Sequence, residues 1–263
     1  RSYNMRIDRL NMIEQYVIQC KTASLKELAT HFGVSMNTIR RDVRQLLERG
    51  ALEKVYGGVT IKTSQHVQLP LPYAIRASRN IAEKQEIGRL ASELVSDNAS
   101  IFIDSGSTTP TILAHLATKS NVTVISHSLS ALYEASKYPN LNVIALGGIF
   151  YSNTASYIDI TSMDALSRLS IDTVFIGATG ITLENGLTNT TYLEAEMKRI
   201  VIRRSRGAVL MADHSKFDSS SIITFCKFED LSCVVTDTLP PQRYIDAMRI
   251  NQIRLLCPET EKD

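Results

Sequence analysis

Residues 24–42 read SLKELATHFGVSMNTIRRD, and their spacing predicts two short helices joined by one sharp turn. Ser24 carries a side-chain oxygen suited to capping a helix start, and Leu25 to Phe32 follow as the helix body. Gly33 then supplies left-handed backbone after Ala29, whose small side chain permits close helix approach. Ser35 caps the next helix, which is expected to reach about Arg49. Leu28, Phe32, Val34 and Ile39 are the apolar positions of the unit, spaced as in a helix-turn-helix.

On the second helix, a step of about 100° per residue puts Ile39, Val43, Leu46 and Leu47 on one arc. The opposite arc presents Asn37, Arg41 and Arg44, with Thr38 and Arg40 on its flanks. Arginine pairs with guanine and asparagine with adenine, whereas Ser35, Thr38 and Arg40 suit the backbone. These six residues are the candidate DNA contacts, against the alternative of an ordinary solvated basic face. Upstream, Leu10, Ile13 and Val17 predict an amphipathic helix over residues 5–19. Downstream, residues 52–61 predict a wing, two short strands around Gly57-Gly58. In it Lys54 and Tyr56 either touch phosphate or the minor groove, or Tyr56 packs beneath the hairpin.

The charge supports this division. Residues 1–63 hold 11 Lys and Arg against 6 Asp and Glu, while the remainder holds 18 against 21. A basic head on a slightly acidic body directs polyanions to the head. Of 263 residues, 44% are hydrophobic and 21% charged, which fits globular domains and excludes disordered and fibrous classes. No apolar run has the roughly 18 residues of a membrane helix, and no signal-peptide block is visible, so a cytoplasmic location away from membranes is expected. Cys20, Cys226, Cys233 and Cys257 form no CxxC pair and the five histidines are scattered, so neither metal nor cofactor is expected.

Residues 62–75, with Pro70 and Pro72, read as a linker between a winged helix-turn-helix at residues 1–61 and a second domain at 76–263. That second domain alternates helix and strand: helices over 81–95, 110–117, 129–136 and 193–205, and strands over 100–104, 122–125, 142–146, 173–176, 208–212 and 233–236. Such alternation predicts an α/β domain with a mainly parallel sheet, its ligands at the strand C-terminal ends. There the turn Asp104-Ser105-Gly106-Ser107-Thr108-Thr109, leading into Pro110 at a helix start, either cradles a phosphate or only caps the helix. His127-Ser128, Gly147-Gly148, Gly177 and the run Asp213 to Lys216 fall at other strand ends. His127 is either a ligand donor or a satisfied loop histidine. Asp213, His214 and Ser215 are sequence neighbours and therefore do not form a triad.

Val34 to Asp42 followed by a Gly-Gly wing resembles the signature of the DeoR family of transcriptional regulators. Glu83-Lys84, Phe102 to Pro110, Leu146-Gly147-Gly148, Glu194 to Lys198 and Asp213 to Phe217 extend the resemblance over nearly the whole chain. It implies a homo-oligomeric repressor of a sugar or nucleoside catabolic operon, binding operator DNA and relieved by a phosphorylated sugar. With Asp237 and Tyr244-Ile245 the motifs look nearest to the deoxyribonucleoside-operon branch, which implies deoxyribose 5-phosphate. The sensor half is similar to ribose 5-phosphate isomerase. That similarity places Lys84 and Ser105 to Thr109 at the phosphate, and Glu194 or Glu196, with Lys198, suits sugar hydroxyls; Lys216, from the Asp213 to Phe217 run, completes the effector set. Both glutamates equally suit helix salt bridges. The loop that carries the isomerase's acid-base carboxylates reads Ile176 to Gly180 here and holds none, so no enzyme activity is expected. An isomerase-like enzyme with an appended DNA-binding domain, and a transcriptional activator, are the alternatives.

Overall fold

In the computed structural model the chain divides into two units, Arg1–His66 and Val67–Asp263. The described residues are 9, 10, 12, 13, 16, 17, 20, 22–48, 52–55, 57–61 and 71–258.

In the first unit the described residues from Arg9 to Cys20 are helical. Strand β1 (Thr22–Ala23), helices α1 (Leu25–Phe32) and α2 (Met36–Glu48), and strands β2 (Leu52–Val55) and β3 (Gly58–Ile61) follow. Helix α1 starts in a capping box: the Glu27 amide donates to Ser24 Oγ at 3.1 Å and the Ser24 amide donates to Glu27 Oε2 at 2.7 Å. It ends at Gly33, whose φ of 62° puts the turn where the sequence predicts it. Leu10, Ile13 and Val17 bury against Leu28, Ile39, Val43 and Leu46, with Leu52 and Val59 of the wing. Phe32 and Val34 pack at the margin of this core. The wing strands pair from Leu52↔Ile61 to Val55↔Gly58. Strand β1, which the sequence reading missed, adds to β3 and makes the wing three-stranded.

The second unit opens with helices α3 (Tyr73–Ala77) and α4 (Ile81–Ser92), then β4 (Ser100–Ile103), a 3-10 segment (Thr109–His115), β5 (Val122–Ser126), α5 (Leu129–Ala135) and β6 (Leu141–Ala145). A hairpin of β7 (Ile149–Tyr151) and β8 (Ser156–Ile158) leads to α6 (Ile160–Ser167) and β9 (Ile171–Ile176). Strands β10 (Gly180–Thr182) and β11 (Gly186–Asn189), helix α7 (Tyr192–Arg204), β12 (Ser205–Met211), β13 (Ile223–Cys226), β14 (Cys233–Val235), α8 (Gln242–Ile250) and β15 (Arg254–Leu256) complete it.

Seven strands form one sheet in the order β15-β14-β12-β9-β4-β5-β6, every described pairing parallel. Its central strands are buried on both faces, while the edge strand β6 is largely exposed. Ile101 and Ile103 of β4 join the α4 and α5 side, while Phe102 joins the side of α7 and α8. The chain starts mid-sheet at β4, steps outward to β6, then returns to β9 on the other flank of β4. The sheet's topological switch point therefore lies between β4 and β9, where the strand-end loops diverge and leave a crevice. A small antiparallel sheet, β10-β11-β13, accompanies the main one.

Residues 71–75, assigned to the linker on their prolines, belong to this body. Pro72 precedes α3, and the Tyr73 amide donates to the Asn153 carbonyl at 2.8 Å. A proline without an amide hydrogen is tolerated at a helix start as readily as in a linker. Thr109–His115 is a 3-10 segment rather than the expected α-helix, so its terminus lacks the summed dipole of a long helix. Among the described residues no helix is long and apolar enough to cross a membrane.

Candidate functional site

The crevice at the switch point is walled by Ser105, Gly106, Ser107 and Thr108 after β4, and by Gly177, Ala178 and Thr179 after β9. Asn189, Thr190, Glu194 and Lys198 close one side; Lys216, Met211, Thr154, Leu71 and Arg76 line the rest.

Beneath the β4 loop, Asp104 is fully buried and faces Lys198 at 3.0 Å. Its Oδ2 accepts the Gly177 amide at 2.8 Å, its Oδ1 accepts the Gly106 amide, and Thr109 Oγ1 donates to its carbonyl at 3.0 Å. Lys198 in turn donates to the Gly177 carbonyl at 2.7 Å. Burial pushes the Asp104 carboxyl up, but Lys198 and the two amides outweigh it and hold the group below the usual carboxylate range. The two strand-end loops are thus tied together by the bond from Gly177 to Asp104, with Lys198 of α7 bound to both. Glu194 is held by three donors: Ser105 Oγ at 2.8 Å, Asn189 Nδ2 at 3.1 Å and Thr191 Oγ1 at 2.8 Å.

The opposite rim is cationic. Arg76 and Lys216 line it, with Lys84 and Arg79 in electrostatic range and Asp213 as counter-charge. Burial pulls the Lys216 amine down, partly offset by Asp213. The Lys84 amine falls to about 8, chiefly through burial. Lys84 Nζ donates to the Arg79 carbonyl at 2.7 Å and to the Arg76 carbonyl, so two of its three donors hold the end of α3. An anion entering the crevice would meet a positive rim, hydroxyls and the backbone of a Ser/Thr-rich loop.

On the head, Asn37, Arg40, Arg41 and Arg44 are exposed on α2, opposite buried Ile39, Val43 and Leu46. Thr38 is half-buried, and its amide donates to Ser35 Oγ at 3.2 Å, so Ser35 is engaged as the helix cap. Asp42 is buried and accepts from Arg9 Nε at 2.7 Å, which ties α2 to the N-terminal helix. Lys54 is exposed in β2; Tyr56 lies outside the described residues. An exposed cationic helix face behind a helix-turn-helix core has the shape and charge to enter a major groove.

Residues 9–65 match the DeoR-like helix-turn-helix domain, and residues 79–238 match the DeoR C terminal sensor domain. The chain belongs to the DeoR family of transcriptional regulators. It is 38% identical over 249 residues to the HTH-type transcriptional regulator IolR of Bacillus subtilis, covering 95% of this chain and 98% of that protein. It is 30% identical over 251 residues to the glycerol-3-phosphate regulon repressor of Escherichia coli, again covering 95% and 98%. Among solved structures, ribose 5-phosphate isomerase A of Methanocaldococcus jannaschii aligns with 52% of this chain and 55% of its own at 20% identity, with a TM-score of 0.38.

Within this DeoR-family body, eight of the residues singled out from sequence line one crevice: Ser105, Gly106, Ser107, Thr108, Gly177, Glu194, Lys198 and Lys216. Asp104, Thr109 and Lys84 lie behind its wall as supports. Ser128 caps α5 through Ala131 and is fully buried. Gly147 and Gly148 follow β6, the edge strand two places from β4, and are not among the residues that line the crevice. His127 is neither a satisfied loop histidine nor part of the lining. It is 1% exposed, stacks on Phe102 at 5.6 Å, and both ring nitrogens lack a partner among the described residues. Burial pulls its imidazole down, against Asp104 and Glu194. Glu196 engages Arg199 instead, the salt-bridge role open to it. Sequence reasoning missed Leu71, Arg76, Thr154, Asn189, Thr190 and Met211. Asn189 is the one with a local signal, as the polar end of a strand three residues before α7.

Proposed function

We propose that this DeoR-family regulator is a DNA-binding repressor of a sugar or nucleoside catabolic operon, relieved when a phosphorylated sugar occupies the crevice. One observation carries the effector class: a Ser/Thr-rich loop and a cationic rim face a carboxylate and amide set suited to hydroxyls, all in one cleft. The name of the Escherichia coli relative, a repressor of a glycerol 3-phosphate regulon, accords with a phosphorylated polyol. Deoxyribose 5-phosphate is the specific effector we put first. Operator binding by α2 calls for a homo-oligomer that presents two such helices to half-sites.

The body is a sensor and not a catalyst. An isomerase needs a carboxylate free to carry a proton beside the sugar, whereas Glu194 is held by three donors and Asp104 is paired with Lys198. The loop Ile176 to Gly180 adds none.

A thermal-shift screen with deoxyribose 5-phosphate, ribose 5-phosphate, glycerol 3-phosphate and the unphosphorylated sugars tests this. A ligand at 100 times its Kd stabilises by about 2.7 kcal/mol. Only the phosphorylated compounds should raise Tm, and replacing Ser107 and Thr108 together by Ala should remove the rise. An equal rise with unphosphorylated sugars, or turnover of a pentose phosphate, would count against the reading.

A further inference from the structure

The crevice is completed by a segment that spans the boundary the sequence sets between the linker (62–75) and the second domain (76–263). Leu71 and Arg76 lie on its wall, and residues 62–70 immediately before them join the body to the wing. Arg76 Nε donates to the Leu71 carbonyl at 3.1 Å, and its guanidinium carbon stands 5.5 Å from the centre of the Tyr73 ring. Among the described residues its Nη groups have no recorded hydrogen-bond partner. The backbone around Arg76 is fixed from two sides. Lys84 Nζ donates to the Arg76 and Arg79 carbonyls, and the Tyr73 amide donates to the Asn153 carbonyl at 2.8 Å.

A guanidinium is rigid and planar, and it can serve a carbonyl through Nε while its Nη groups take a second acceptor. Resting on the phosphorylated-sugar reading above, we propose that Arg76 is an anion ligand of the crevice. Through its bond to Leu71 it couples occupancy of the crevice to the chain segment that leads to the DNA-binding unit. The anion's oxygens meet the Nη groups together with Lys216 of the same rim and the hydroxyls of Ser107 and Thr108. The Nε bond then holds residue 71 against the filled crevice, so occupancy tightens residues 71–77. Lys84 is a positioning residue in this scheme: it orients the backbone that carries Arg76.

The test uses the full-length chain, titrated calorimetrically with deoxyribose 5-phosphate, ribose 5-phosphate, glycerol 3-phosphate and inorganic phosphate. Hydrogen exchange of residues 71–77 is followed in parallel. For the wild type, whichever probe binds should slow exchange in that segment. Arg76→Ala should bind the same probe about 10- to 100-fold more weakly, as expected for loss of hydrogen bonds to a charged group. It should also exchange faster at 71–77 without ligand, because the Leu71 tie is gone. Arg76→Lys, which keeps the charge but not the fork, should recover part of the affinity and none of the slowing. Unchanged exchange in β4 and β5 serves as the folding control. Wild-type affinity in Arg76→Ala, or ligand binding that leaves exchange at 71–77 unchanged, overturns the inference while the sugar-phosphate reading stands. Binding of none of the four probes by the wild type overturns that reading itself.

Discussion

Asp104 and Lys198 come from distant parts of the chain and meet at 3.0 Å with almost no exposure. A buried pair of this kind stabilises mainly in the sense that removing one partner leaves the other charged and unmatched. Asp104→Asn is expected to cost about 3 to 5 kcal/mol in urea unfolding at neutral pH. The sign with pH follows from the carboxyl's depressed position. Its contribution is complete above the unfolded value of about 3.9 and is lost as pH falls through the lower folded value. The gap between wild type and Asp104→Asn should therefore close in acid, and a gap that persists unchanged to pH 2 would contradict the assignment. Lys84 shows how a sequence motif points to a neighbourhood before its contacts are known. Its amine is beside the crevice, yet its bonds go to the carbonyls of Arg76 and Arg79.

At the scale of elements, the wing depends on a contact that hydrophobic patterning does not encode. Strand β1 has two residues, and Ala23 lies so close to Gly58 that a Cβ there would strike the Ala23 carbonyl oxygen. The second glycine of the Gly-Gly turn is thus needed for space, while Gly57, with φ of 87°, is needed for conformation. Gly58→Ala should cost about 1 to 3 kcal/mol through this overpacking. A denaturant midpoint for the isolated residues 1–66 unit that matches the wild-type fragment would refute the packing argument. The 3-10 segment after Thr108 teaches a related lesson. Its residues suit a helix, but Pro110 near the start and tight packing against α4 shorten it, and the loop's own polar groups remain to meet an anion.

At the scale of the molecule, charge and function are divided between two units. The head carries the positive surplus, and its exposed Arg41 lies on the face opposite the α2 core. Arg41→Ala should weaken operator binding by about 1 to 3 kcal/mol if it reads a base. If it touches only phosphate, the salt slope should fall by about one and all sequences should weaken alike. In both cases the sugar-phosphate Tm rise should remain as in the wild type; its loss would mean that the two units do not divide the work. The crevice is also a whole-molecule feature. It arises because the chain leaves β4 toward β5 and β6 on one side and leaves β9 toward β12 on the other.

The head was readable from the chain because its determinants are local. A cap at Ser24, a left-handed glycine at Gly33 and an apolar arc at Ile39, Val43 and Leu46 act within one or two helical turns. The alternating body was readable for the same reason, and so was the Ser105 to Thr108 loop, since a polar turn after a buried strand is a local signal. Strand order is not local: nothing near Gly147 or Gly177 states that β6 ends at the sheet edge and β9 beside β4. Tertiary structure alone therefore placed Gly147 and Gly148 at the edge strand and Gly177 in the crevice wall, and it brought Asp104 to Lys198 and Ser105 to Glu194. It also turned Leu71 from a linker residue into part of the wall, beside Arg76 at the start of the second domain. Backbone hydrogen bonds and periodic burial fix elements over a few residues, whereas a site at a switch point exists only after the sheet has closed.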